Sequence, residues 1–88
     1  MVAWQIVFTK RAEKDSKNIA AASLKSKTEE LLTSIILDPF AKPPPFEKLV
    51  GDLRGYYSRR INVQHRLVYE IRSDERMLVI ISMFRHYQ

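Results

Sequence analysis

The chain has 88 residues and no cysteine, and 15 Lys+Arg against 10 Asp+Glu give it a net charge of +5. That length makes one domain, residues 1–88, with a single modest core, and the lack of cysteine excludes disulfides and thiolate metal sites. Two histidines among scattered carboxylates give no zinc spacing, so chemistry without metal or cofactor is expected, and the positive charge favours polyanionic partners without dictating a fold.

At the N-terminus, Ala3 to Phe8 alternates loosely and carries Trp4, Ile6, Val7 and Phe8, which reads as an opening strand. No positive residue precedes this apolar stretch, and Lys10, Arg11, Glu13, Lys14 and Asp15 follow at once, so no signal peptide is read and a cytoplasmic protein is expected. Thr9 offers an N-cap to a first helix from Lys10 to about Ala22, with Glu13 and Lys17 at i,i+4 and a thin apolar face of Ala12, Ile19 and the alanines.

Ser23 is placed to cap a second helix in which Leu24, Thr28, Leu31 and Ile35 form one stripe, widened by Leu32 and Ile36. It must stop near Leu37, because Asp38 precedes Pro39 and the following FAKPPPF segment sustains neither helix nor central strand. Three consecutive prolines favour a stiff, extended connector.

After Glu47, Leu49 and a Gly51/Asp52 turn signal, three strands fit: about Tyr56 to Ile61, His65 to Arg72, and Met77 to Arg85, the last two joined by RSDER as a hairpin. Met77 to Phe84 is apolar on both faces, as a central strand would be, and far shorter than the roughly twenty residues of a membrane-spanning helix. The order β, α, α, β, β, β predicts an α+β fold: an N-terminal strand, two helices, and a three-stranded antiparallel portion completing one sheet packed on the helices. Alternation puts Leu67, Tyr69 and Ile71 on one side and Arg66, Val68 and Glu70 on the other, and it sets Leu78, Ile80 and Ser82 opposite Val79, Ile81 and Met83. Trp4 and Tyr69 read as core aromatics, and of Tyr56 and Tyr57 one is expected to pack and one to lie at the surface.

The second half concentrates arginines where the first has lysines: Arg59, Arg60, Arg66 and Arg85 recur among apolar residues beside His65 and His86. Planar guanidinium groups on rigid elements suit bidentate phosphate recognition, and a histidine adds a group able to move protons near neutrality.

These residues carry a resemblance. GYYSRRI, HRLVY and a terminal RHY, with DPF…PPPFEKL upstream, closely resemble the YoeB toxins of the RelE/ParE-like superfamily, over nearly the whole chain and most strongly from Pro39 onward. The resemblance implies a RelE-like fold and a toxin of a type II toxin-antitoxin system, acting as a ribosome-dependent, metal-independent mRNA endoribonuclease in the A site. Position by position, it puts Glu47 on the family's acidic residue, Arg66 on its phosphate-contacting arginine, His86 on the general acid and Tyr87 on its neighbour. Glu47 then serves either as base for the 2′-hydroxyl or as the group that orients it. Arg59, Arg60, Arg85 and Lys48 are expected to contact RNA or the ribosome, and His65 to be structural. The sequence departs from familiar members at Lys48, where proline is common, and at Gln88, which extends past the terminal His-Tyr.

The implied partners are mRNA, the ribosome with its rRNA, and a YefM/Phd-type antitoxin whose acidic tail would cover the basic cleft; a homodimer is also compatible. Two other classes remain open at this point: a non-catalytic basic toxin of the same fold, such as a gyrase-directed ParE-like relative, and a plain RNA-binding module.

Overall fold

A computed structural model describes residues 4–42, 45–51 and 55–85. β1 (Gln5–Phe8) leads through Thr9 into α1 (Lys10–Ala21), a tight turn leads into α2 (Lys25–Leu37), and the connector then delivers β2 (Glu47–Lys48). β3 (Tyr56–Arg60), β4 (Arg66–Arg72) and β5 (Met77–Arg85) complete a five-stranded sheet of order β1-β5-β4-β3-β2. β1 runs parallel to β5, and every other neighbouring pair is antiparallel.

Both helices lie on one face of the sheet. Ala12 and Ile19 of α1 and Leu31 and Ile35 of α2 meet Ile61, Leu67, Tyr69, Leu78, Ile80 and Met83 in one buried cluster, with Trp4 and Ile71 packed at its border. Burying a side chain such as Leu67 or Ile80 contributes roughly 1.5–3 kcal/mol, which is why the apolar stripes rather than helix propensity hold α1 and α2 in place.

The expected elements are present, with four differences of physical interest. Thr9 does cap α1, its Oγ1 accepting from Ala12 N at 3.1 Å, but Ser23 does not cap α2. It adopts a left-handed φ of 61° in the interhelical turn, and Leu24 takes the N-cap position with no side-chain hydrogen bond. Second, β2 is an additional strand, pairing Glu47 with Ser58 and Lys48 with Tyr57; two residues have no periodicity to read.

Third, β5 loses its alternation. Tyr69 stands opposite Ile80, Val68 opposite Ser82 and Arg66 opposite Arg85, so β5 carries two extra residues against β4. The bulged strand bends, and Met83 returns to the core beside Leu78 and Ile80 instead of lying on the opposite face. Fourth, the edge of the sheet beside β3 is taken by β2, which covers the first part of β3. Of the Gly51/Asp52 turn, Gly51 has φ 69°, a left-handed conformation that a side chain would strain, while Asp52 lies outside the described residues. The RSDER hairpin closes through a single 3₁₀ turn, Ser73–Glu75, and a left-handed Arg76.

Candidate active site

Directly opposed residues in a sheet share a face. The register lines up Glu47, Ser58 and Val68 across β2, β3 and β4, and a second row of Arg60 and Arg66 lies one pleat along on the same face. This is the face turned away from the helices, because Leu67 and Tyr69, the alternate residues of β4, point into the core. Small side chains at Ser58 and Ser82, both buried, flank Val68 and give this face a low floor on which longer side chains converge.

Arg66 is the centre of that convergence. Its Nη1 donates to Glu47 Oε1 at 2.9 Å and to Ser58 Oγ at 3.3 Å. Pro45, Glu47, Ser58, Arg60 and Arg66 line a shallow cleft of about 100 Å³. The arginine side chain is mostly sheltered, at 18% exposure, whereas that of Glu47 is 65% exposed. The Arg66 hydrogen bond and then its charge hold the Glu47 carboxyl below the ordinary carboxylate range, with Arg60 adding to the effect. The cleft therefore presents two guanidinium groups and one ionised carboxylate to solvent, a set able to bind a phosphate and to accept a proton beside it.

Arg59 is corrected by the same alternation. It stands opposite Leu67 on the core face and is 1% exposed, so it is not a surface contact for RNA. Its Nε donates to Tyr69 Oη at 2.8 Å and its Nη2 to the Pro39 carbonyl at 2.9 Å. Burial raises the Tyr69 pKa, the Arg59 hydrogen bond opposing that rise. The period-2 pattern of Ser58, Arg59 and Arg60 held this distinction all along: in SRR only the first and third residues share the Glu47 face.

Arg60 and Lys48 are exposed. The backbone of Arg85 pairs with that of Arg66, which brings the end of β5 to the site. The expectations for the Arg85 side chain and for His86 and Tyr87 fall outside the described residues. His65 precedes β4, its N–H donating to Asn62 Oδ1 at 2.7 Å and its carbonyl accepting from Ile61 N at 2.8 Å, a turn-closing role. Tyr57 packs, stacked on Tyr69 at 6.0 Å and meeting Phe46 edge-on at 5.7 Å; Tyr56 is half-buried.

Sequence reasoning missed two participants. Ser58 gives Arg66 a second acceptor, visible only once β3 and β4 are aligned. Asp15, on α1, is buried and its Oδ2 accepts from Met83 N at 3.0 Å, holding the bulged segment of β5. An acidic residue on a helix otherwise rich in lysine gives no signal of that role.

A larger apolar groove of about 380 Å³ runs between the helices and β5, lined in part by Phe8, Ile19, Leu32 and Met83. Its ionisable lining is Lys17, Lys25 and Glu29, and it does not include the Glu47 and Arg66 pair.

A two-helix layer on a five-stranded mixed sheet, with a carboxylate and arginines on the open face, defines the RelE-fold class of small toxins. Residues 8–87 match the profile of the YoeB-like toxin of bacterial type II toxin-antitoxin systems, and the chain belongs to that family. It is 39% identical over 85 residues to a toxin YoeB of Streptomyces coelicolor, covering 94% of this chain and 99% of that one. Among solved structures it is similar to a YoeB/ParE toxin from Agrobacterium tumefaciens, with a TM-score of 0.85 and 32% identity over 94% of this chain and 99% of that one. It is also similar to the toxin in a YoeB–YefM complex from Staphylococcus aureus, with a TM-score of 0.79 and 37% identity over 96% and 98% of the two chains.

Proposed function

We propose that this toxin is a ribosome-dependent mRNA endoribonuclease that cleaves in the A site by general acid/base transphosphorylation, without a metal, and so stops translation. The observation that carries this reading is the 2.9 Å pair of Arg66 and Glu47 in a cleft shared with Arg60, at the place where β5 ends. Cleavage through an internal 2′-hydroxyl needs an acceptor for that proton, cations for the charge on the phosphorane, and a donor for the departing 5′-oxygen.

In the free protein Arg66 shields Glu47. An incoming phosphate competes for the guanidinium, and as Arg66 turns to the equatorial oxygens the carboxylate loses its strongest partner and becomes more basic. Glu47 then takes or orients the 2′-hydroxyl proton as its oxygen attacks phosphorus. His86, next after Arg85 in the chain, gives its proton to the 5′-oxygen as the P–O bond breaks, leaving a 2′,3′-cyclic phosphate and a 5′-hydroxyl, and Tyr87 flanks it. Arg60, Lys48 and Arg85 contact RNA backbone on the ribosome.

The partners follow from the same reading. The S. aureus relative is seen with YefM and also as a dimer; for this chain we propose an antitoxin of YefM type with an acidic segment that neutralises the basic cleft, and a cytoplasmic site of action beside the ribosomes. Toe-printing of translating ribosomes is the test. New A-site breaks with the intact protein that disappear with His86→Ala support the reading. Absence of breaks, or identical breaks with His86→Ala, overturns it, and salt-sensitive RNA binding without breaks would leave a binding module instead.

A further inference from the structure

Arg59 carries a permanent charge inside the protein, and it joins three elements. From β3 it donates to Tyr69 Oη on β4 and to the Pro39 carbonyl just beyond α2, and its Cζ lies 4.9 Å from the centre of the Phe46 ring. Pro39 and Phe46 stand toward the two ends of the connector, and Phe46 immediately precedes Glu47. The planar fork of an arginine suits such a junction, because separate nitrogens reach the phenol and the carbonyl while the flat cation faces a ring. Phe46 is further seated against Tyr57.

Glu47 needs such an anchor. β2 is two residues long and both are exposed, so little apolar burial holds its own side chains in place. Beyond the short backbone pairing of Glu47 with Ser58, the nearest side-chain anchor is the residue before it, and Phe46 is clamped by Arg59 and Tyr57.

We propose that Arg59 is a positioning residue which, by fixing the connector at Phe46, holds Glu47 in register with Arg66; its catalytic meaning rests on the nuclease reading above, but its structural content does not. The core face of β3 thus supports the geometry of the open face through the residue next to Glu47, alongside the β2–β3 pairing.

The test titrates the Glu47 carboxyl by NMR with carbon-labelled glutamate in the intact chain, in Arg59→Met, in Phe46→Ala and in a destabilised control far from the connector, Ile19→Ala. In the intact chain Arg66 and Arg60 hold the midpoint low, with Lys48 alongside in sequence. In Arg59→Met and Phe46→Ala the midpoint should rise toward the ordinary value of about 4.3, while Ile19→Ala loses stability and leaves the midpoint low. On ribosomes the same two variants should lose kcat by about 10²-fold, as a misplacement of about 1 Å can cause, with KM little changed.

An unmoved midpoint in folded Arg59→Met and Phe46→Ala overturns the proposal, as does an equal rise in Ile19→Ala. Failure of both connector variants to fold would make Arg59 a determinant of the fold alone and overturns it too. A wild-type protein that cuts no mRNA would sink the nuclease reading, and the titration would still decide whether Arg59 places Glu47.

Discussion

Arg66 Nη1 and Glu47 Oε1 stand 2.9 Å apart across three strands, and the pair keeps Glu47 ionised below the usual carboxylate range. Removing the guanidinium in Arg66→Ala should therefore raise the Glu47 midpoint. Because the folded value is the depressed one, the pair stabilises the fold above the unfolded-state pKa and loses that contribution as pH falls through the folded-state pKa. The acid limb of urea-unfolding stability should accordingly flatten in Arg66→Ala. Under the nuclease reading the same variant loses about 10²–10³-fold in kcat through missing phosphorane stabilisation, measured in single-turnover cleavage on programmed ribosomes.

Arg60 shares the cleft with Arg66 but is exposed and faces solvent. Under the nuclease reading it is a phosphate contact, which neutralises charge without reading sequence. In Arg60→Ala the dependence of log affinity on log salt should become shallower by about one unit for RNA or ribosomes, with kcat at saturation less affected than for Arg66→Ala. An unchanged salt slope would remove Arg60 from the interface.

Most of the fold was legible because its elements announce themselves by period. The stripe of Thr28, Leu31 and Ile35 and the alternation of Leu67 and Tyr69 both describe surfaces that the core buries. What the sequence hid was short or non-periodic. β2 has two residues, too few for any pattern, yet its pairing with β3 is what sets Glu47 opposite Ser58. The bulges of β5 break the alternation at the point where the strand approaches Arg66, and the bulged segment is bonded by an acceptor on α1, Asp15, that lies far away in the chain. Of the site, Glu47 and Arg66 were named from a motif and are brought together. Arg59 was named from the same motif for its charge, although its parity in the strand already placed it in the core.

Tyr69 gives a measurement at the other end of the pH scale. Burial raises its phenol pKa, so the neutral form is favoured in the folded protein. The resulting stability is complete below the unfolded-state value near 10 and declines as pH rises from there through the higher folded-state pKa. Thermal or urea unfolding followed above about pH 10 should show that decline, and Tyr69→Phe should make the alkaline slope shallower. The same variant should be less stable at neutral pH, because Arg59 Nε loses a buried acceptor, at a cost of about 1–3 kcal/mol.

Asp15 links α1 to the end of β5. In the bulge, where ladder bonds are lost, Thr9 Oγ1 donates to the Ile81 carbonyl at 2.9 Å and Asp15 Oδ2 accepts from Met83 N at 3.0 Å; Arg11 Nε stands 3.7 Å from the other oxygen. Met83 lies two residues before Arg85, whose backbone stands opposite Arg66. Asp15→Ala leaves a buried N–H without its acceptor and should destabilise the protein by about 1–3 kcal/mol in urea unfolding. Asp15→Asn keeps an acceptor oxygen and should recover much of that loss, with amide exchange at Met83 slowed again relative to Asp15→Ala. If Asp15→Ala unfolds at the same urea concentration as the intact chain and Met83 stays protected, the bulge is held by the sheet and the core side chain of Met83 alone.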